Sequence, residues 1–189
     1  DPDRVGVELR VTPTTLNLKK ERSRPDADET GLRPWTDAVL VAEDVPTSLS
    51  LGDRSIRIHP RDGHTPSDVT LELQEESIIW CGDLVWNGMF PNYMDAVPSR
   101  LSRAVRSLRR PGARVYVPGH GPLADAGDLE RYVSVIDGIE ETARTGLQEG
   151  WTPQEAAERH RIPEDLGEWT LFNPAYFQRA IEAWFREWS

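Results

Sequence analysis

Five short runs of β-forming residues, each closed by turn residues, precede a stretch of helical patterning, and that order most constrains the fold. The runs are AVLVAE (38–43), SIRIH (55–59), VTLEL (69–73), SIIWC (77–81) and RVYVP (114–118). β-Branched side chains suit a pleated, half-buried surface, and turn residues at the borders stop each strand. Only Gln74-Glu75-Glu76 separates VTLEL from SIIWC, which predicts a hairpin. In PSRLSRAVRSLRRPG, Leu101, Ala104, Val105 and Leu108 share one helical face, and Pro111-Gly112 ends the segment. Leu129, Tyr132, Val133, Ile136, Ile139 and Ala143 mark a longer helix from Asp128 to about Leu147. Thr152-Pro153-Gln154-Glu155 has the form of a capping box, and Asn173-Pro174 opens a last helix. The aromatic stripe of that helix (Phe177, Ile181, Trp184, Phe185, Trp188) reads as packing against a sheet or another helix. A sheet must bury an apolar face against other elements, so the expected class is a layered α/β (α+β) domain.

A chain of 189 residues is long enough for one sizeable core, and residues 1–189 read as a single domain. Residues 1–36 are poorly patterned, KKERSRPDADETG (19–31) reads as an exposed, mobile loop, and 149–189 reads as a helical C-terminal extension. With 22 basic and 32 acidic residues the net charge is −10, which argues against a nucleic-acid partner. The row Arg100, Arg103, Arg106 and Arg110 reads as a solvated surface. No apolar run approaches the roughly 18 residues needed to span a bilayer, so no membrane partner is expected. The single cysteine, Cys81, fits a reducing compartment, and the expected location is cytoplasmic.

Three times a strand runs into glycine and then a side chain able to bind a metal. SIRIHPRD leads to Gly63-His64-Thr65-Pro66, SIIWC to Gly82-Asp83, and RVYVP to Gly119-His120-Gly121-Pro122. Strand ends in one sheet lie side by side, so such residues can converge. Imidazole nitrogen and carboxylate oxygen are suitable zinc ligands. Each element alone has an ordinary reading as a turn residue or helix cap. Their repetition in this order points to a site.

The stretches GHTPSDVTLEL, IIWCGDLVWNG and VYVPGHGP resemble the C-terminal half of a metallo-β-lactamase-fold hydrolase, best over about residues 38–148. The resemblance implies half of an αββα sandwich followed by C-terminal helices. It implies a site for two zinc ions: His64 completing a three-histidine set for one metal, Asp83 bridging both, and His120 holding the second. The family's upstream H-x-H-x-D-H motif is absent from this chain, and the remaining histidines, His59 and His160, read as structural. The chain, which begins Asp1-Pro2-Asp3, is therefore expected to be the second half of a longer hydrolase. The missing N-terminal half, or a homodimer partner, would supply the other ligands.

The implied activity is hydrolysis of a small-molecule ester, lactone, thioester, amide or phosphoester by metal-activated water, with no side chain assigned a catalytic role beyond the ligands. The isolated chain is expected to be a poor catalyst. By the same resemblance LVWNGMFPNYMD (84–95) borders the substrate pocket, with Asn87, Asn92 or Tyr93 as hydrogen-bonding residues; the aromatics of this loop have a second reading as cover for the core. Cys81 reads as a small buried hydrophobe. The alternative to an enzyme is a non-catalytic scaffold or interaction module that keeps the fold without a complete metal site.

Overall fold

The structure, a computed structural model, describes residues 10–22, 39–40, 42 and 45–189. Strand β1 (Arg10–Val11) pairs in parallel with β2 (Val39–Leu40) to form a two-stranded sheet. Between them in sequence lies α1 (Pro13–Arg22), whose first turn is capped by Thr12: its hydroxyl accepts from the Thr15 amide at 3.1 Å. The expectation of a mobile loop over 19–31 is thus corrected at 19–22, which are helical; 23–31 fall outside the described residues. The apolar run at 38–43 contributes only Val39 and Leu40 as strand, with 38, 41, 43 and 44 outside the described residues.

The main sheet has five strands in sequence order: β3 (Thr47–Leu51), β4 (Arg54–Arg61), β5 (Asp68–Leu73), β6 (Ile78–Trp86) and β7 (Val115–His120). Among the described residues β3 stands at one edge of this sheet, and sequence patterning passed over it because TSLSL is half polar. Successive pairs are antiparallel until β6 and β7, which run parallel. A parallel pair requires a crossover, and α2 (Pro98–Arg106) lies in that connection.

Register divides the sheet into two apolar faces. Ile56, Leu73, Ile78 and Val115 form one cross-strand row, and Ile58, Leu71, Trp80 and Val117 a second beside it. The opposite face carries Ile79, Cys81 and Tyr116, which join the helices in the main core. There α3 (Ala126–Glu149) contributes Leu129, Tyr132, Ile136 and Ile139, α2 contributes Leu101 and Val105, and α5 (Tyr176–Trp188) contributes Ile181 and Trp184. Ile58 and Leu73, on the first face, are buried but lie outside that cluster. A sheet with both faces apolar is the central layer of a sandwich, as expected from the sequence.

Capping sets the helix limits. The Asp128 amide donates to Asp125 at 2.8 Å and the Asp125 amide to Asp128 at 2.9 Å, so α3 starts at Ala126, two residues before the expected start at Asp128; Gly150 closes it at φ 71°. The box at Thr152 and Glu155 forms as expected and starts α4 (Pro153–Arg159). Asn173 caps a turn ahead of α5, its side-chain oxygen accepting from the Ala175 amide at 2.9 Å. The arginine row is engaged in ion pairs: Arg100 with Asp62 at 2.8 Å, Arg106 with Asp137, and Arg110 with Glu72 at 2.9 Å.

Candidate metal centre

All three sequence-predicted metal residues meet at one end of the main sheet. His64 lies in the loop between β4 and β5, Asp83 within β6, and His120 is the last residue of β7. The Asp83 carboxylate stands between the imidazoles: its Oδ2 is 3.8 Å from His64 Nε2 and its Oδ1 is 3.6 Å from His120 Nε2. Asp83 and His120 are open to solvent, and His64 is more enclosed.

Two of the placements differ from the expected turns. Asp83 is inside a strand because the β6–β7 ladder slips: Gly82 pairs with Pro118 and Trp86 with His120, four steps along one strand against two along the other. Such a bulge bends the strand and re-aims a side chain. Gly82 accommodates it at φ 54°. Gly119 serves close approach: a Cβ there would sit 1.9 Å from Asp83 Oδ1 and 2.8 Å from the Asp83 amide nitrogen.

Neighbouring groups fix the ligand loops. The Asp68 carboxylate accepts from the His64 amide at 2.9 Å, and from the Thr65 amide at 3.1 Å and hydroxyl at 2.7 Å. Burial raises the Asp68 pKa, while the hydrogen bonds from Thr65 and the His64 charge oppose that rise. Sequence reading missed this staple, though its signal, an Asp four residues after the histidine in GHTPSD, was available. The Trp86 indole donates to the Asp83 carbonyl at 3.0 Å and stacks on His120 at 3.9 Å between ring centroids. His64 Nδ1 is buried with no hydrogen-bond partner among the described residues, and its ring lies 6.0 Å from Trp86.

Two residues expected to bind substrate, Tyr93 and Asn87, are buried. Tyr93 is 1% exposed, with its hydroxyl enclosed in the core, where burial pushes its pKa up. Asn87 is also buried, and its side-chain amide donates to the Pro122 and Leu123 carbonyls at 3.2 and 3.4 Å. Its backbone amide donates to the His120 carbonyl at 2.9 Å, so Asn87 holds the histidine loop in place. Gly121 lets that loop close at φ 90°, where a Cβ would meet the Asn87 carbonyl at 2.0 Å. Trp86 and Phe90 are buried as well, in agreement with the reading of this loop's aromatics as core cover.

His59 and His160 are held away from the rim by other partners. His59 Nε2 contacts Glu72 at 2.9 Å, and Arg110 reaches the same carboxylate oxygen. Burial, stronger than the pull of Glu72, lowers the His59 pKa. His160 packs between Phe90 and Phe177, with Nδ1 2.8 Å from the Thr142 hydroxyl. Cys81 is fully buried, which pushes its thiol up to about 12 and leaves it inert as a nucleophile.

The sequence profile of the metallo-beta-lactamase superfamily matches residues 4–120, a span that contains His64, Asp83 and His120. The chain belongs to the metallo-beta-lactamase superfamily. A metallo-beta-lactamase from Pontibacter korlensis superposes with a TM-score of 0.56 at 26% identity, over 70% of this chain and 59% of its own length. A stereoselective inverting sec-alkylsulfatase from Pseudomonas sp. has a TM-score of 0.62 at 14% identity, over 79% of this chain and 26% of its own. The apo chemotaxis sensor ODP from T. denticola shares the fold at a TM-score of 0.51 and 13% identity, over 69% of this chain and 59% of its own. No curated protein gives a sequence match. The chain therefore spans about three fifths of the lactamase and a quarter of the sulfatase. Among the described residues no helix is long and apolar enough to cross a membrane.

The family implies zinc, and the donors fit it. Nitrogen and oxygen ligands at about 2.1 Å from a tetrahedral ion lie about 3.4 Å apart, close to the 3.6 and 3.8 Å seen here. Among the described residues no group of three or more His, Cys, Asp or Glu is close enough to hold one ion. Each imidazole–carboxylate pair thus offers two donors, joined through the two oxygens of Asp83.

Proposed function

We propose that this chain carries part of the active site of a metal-dependent hydrolase acting on a small-molecule ester, lactone, thioester, amide or phosphoester. The observation that carries the reading is the Asp83 carboxylate between two imidazole Nε2 atoms, one facing each oxygen. In this reading His64, Asp83 and His120 would hold zinc, with Asp83 shared between two ions and further ligands from outside the described residues. Bound zinc supplies Lewis acidity and lowers the pKa of water to about 7. The protein's part is positioning. Asp68 fixes the His64 loop, Asn87 fixes the His120 loop, and the Trp86 indole ties the Asp83 backbone to the His120 ring. Ligands held before the metal arrives lose less entropy on binding, and a site fixed to within about 0.5 Å is what such chemistry requires.

The test is metal analysis of the full-length protein and of His64→Ala, Asp83→Ala and His120→Ala, with a chromogenic panel of ester, lactone, thioester and phosphodiester substrates and added zinc. The reading expects each variant to lose metal and turnover together. Full metal content in all three variants would remove the ligand assignment. Bound metal with no turnover on any substrate would favour a non-catalytic binding module.

A further inference from the structure

Beyond residue 120, where the family match ends, the chain returns to the metal-binding rim. Thr170 is bridged to the loop after β6: its amide donates to the Gly88 carbonyl at 2.9 Å, and the Phe90 amide donates to the Thr170 carbonyl at 3.0 Å. Leu171 turns inward against the core, and Asn173 fixes the following turn through its carbonyl and side chain. Phe172, between these anchors, is forced outward. It is 57% exposed, and its ring stands edge-on to Trp86 at 6.4 Å. Trp86 is the indole that stacks on His120 and lies 6.0 Å from the His64 ring. Three residues after His120 in the chain, Leu123 is 66% exposed while its carbonyl is tied down by Asn87.

An isolated exposed apolar side chain needs no explanation. Phe172 differs because its backbone is fixed on both sides and its ring touches the residue that supports a candidate ligand. Holding a phenylalanine in water on a rigid loop is unfavourable, and the cost is recovered when an apolar group covers the ring. Resting on the hydrolase reading above, we propose that Phe172 is a specificity-determining residue: it receives the apolar acyl, alkyl or aryl portion of the substrate whose scissile bond lies at His120 and Asp83. This wall comes from the chain beyond the span matched by the family, residues 4–120.

The experiment uses full-length protein with zinc, as wild type, Phe172→Ala and Phe172→Leu. Calorimetry measures binding of n-alkyl carboxylates from butyrate to octanoate, and kcat/KM is measured on p-nitrophenyl esters of the same acids. Each methylene covered by Phe172 is expected to improve affinity and kcat/KM about threefold in wild type. Phe172→Ala should flatten both series to less than about 1.5-fold per methylene, and Phe172→Leu should restore most of the slope. Equal slopes in wild type and Phe172→Ala, or no chain-length dependence in wild type, overturn the proposal and leave the hydrolase reading standing. A carboxylate series that binds with the Phe172-dependent slope while no ester is cleaved supports the apolar wall and removes carboxylic esters from the substrates of the hydrolase reading. Absence of carboxylate binding by the wild type overturns the proposal.

Discussion

Gly119→Ala probes the geometry of the site without touching a ligand. The added Cβ would lie 1.9 Å from Asp83 Oδ1, and real Cβ contacts stay beyond 3.0 Å, so the carboxylate must withdraw by about 1 Å. It has little freedom to do so smoothly, because the Asp83 amide nitrogen and the Gly82 carbonyl carbon would each be 2.8 Å from the same Cβ. The strand has to shift with the side chain. Metal–ligand distances tolerate about 0.2 Å, so a displacement of about 1 Å breaks both half-sites. Zinc affinity is expected to fall at least 10–100-fold, the range seen when groups supporting a ligand are lost, and the fold to lose about 1–3 kcal/mol from overpacking. Zinc titration against a competing chelator gives the first quantity and urea unfolding of the metal-free protein the second. In an Asp83→Ala background the contact with Oδ1 vanishes while the backbone contacts remain, so part of the stability cost should be relieved. Unchanged zinc affinity in Gly119→Ala would refute the role given to the close approach of β6 and β7.

The remaining expectations concern buried groups. His160 is 3% exposed, and burial together with the nearby Arg161 lowers its pKa to about 4 from 6.5. The unfolded chain takes up this proton near pH 6.5 and the folded chain only near 4, so the contribution is whole above about 6.5 and lost as pH falls to about 4. It amounts to about 3 kcal/mol, and in urea unfolding His160→Gln should show a correspondingly shallower loss of stability across that window; parallel profiles would refute it. Tyr93→Phe removes a buried hydroxyl with no hydrogen-bond partner, so stability should be unchanged or slightly improved and KM for any substrate unaltered. A KM increase on Tyr93→Phe would instead support a substrate-binding role for this buried hydroxyl.

The strands and helices were legible where periodicity was strong. SIRIH, VTLEL, SIIWC and RVYVP all lie in or overlap strands of the main sheet, and the capping residues at Thr152 gave the start of α4. The edge strand Thr47–Leu51 was not, because an edge needs apolar residues on one face only and its serines mask the alternation. The three candidate residues stood out because each follows a glycine at the end of a β-forming run, and their side chains lie near one another in the fold. The bulge that sets Asp83 inside β6 was not, since register slips leave no mark in a single strand's composition. The burial of Asn87 and Tyr93 was not legible for one reason: sequence places a polar or aromatic side chain near a site but does not say whether it turns toward solvent or toward the next loop. The roles of Asp68 and of Thr170 depend on contacts between segments far apart in the chain, or between a side chain and another residue's backbone, which pattern reading does not resolve.

The bridge from Thr170 to Gly88 and Phe90 has a practical corollary for anyone cutting this protein into pieces. Ending the polypeptide where the family profile ends, or where the long α3 helix stops, would discard more than a decorative tail: the loop that follows Trp86 would lose the two hydrogen bonds pinning it from outside. Shortened versions judged inactive would then report on a slackened rim, not on the chemistry of its ligands.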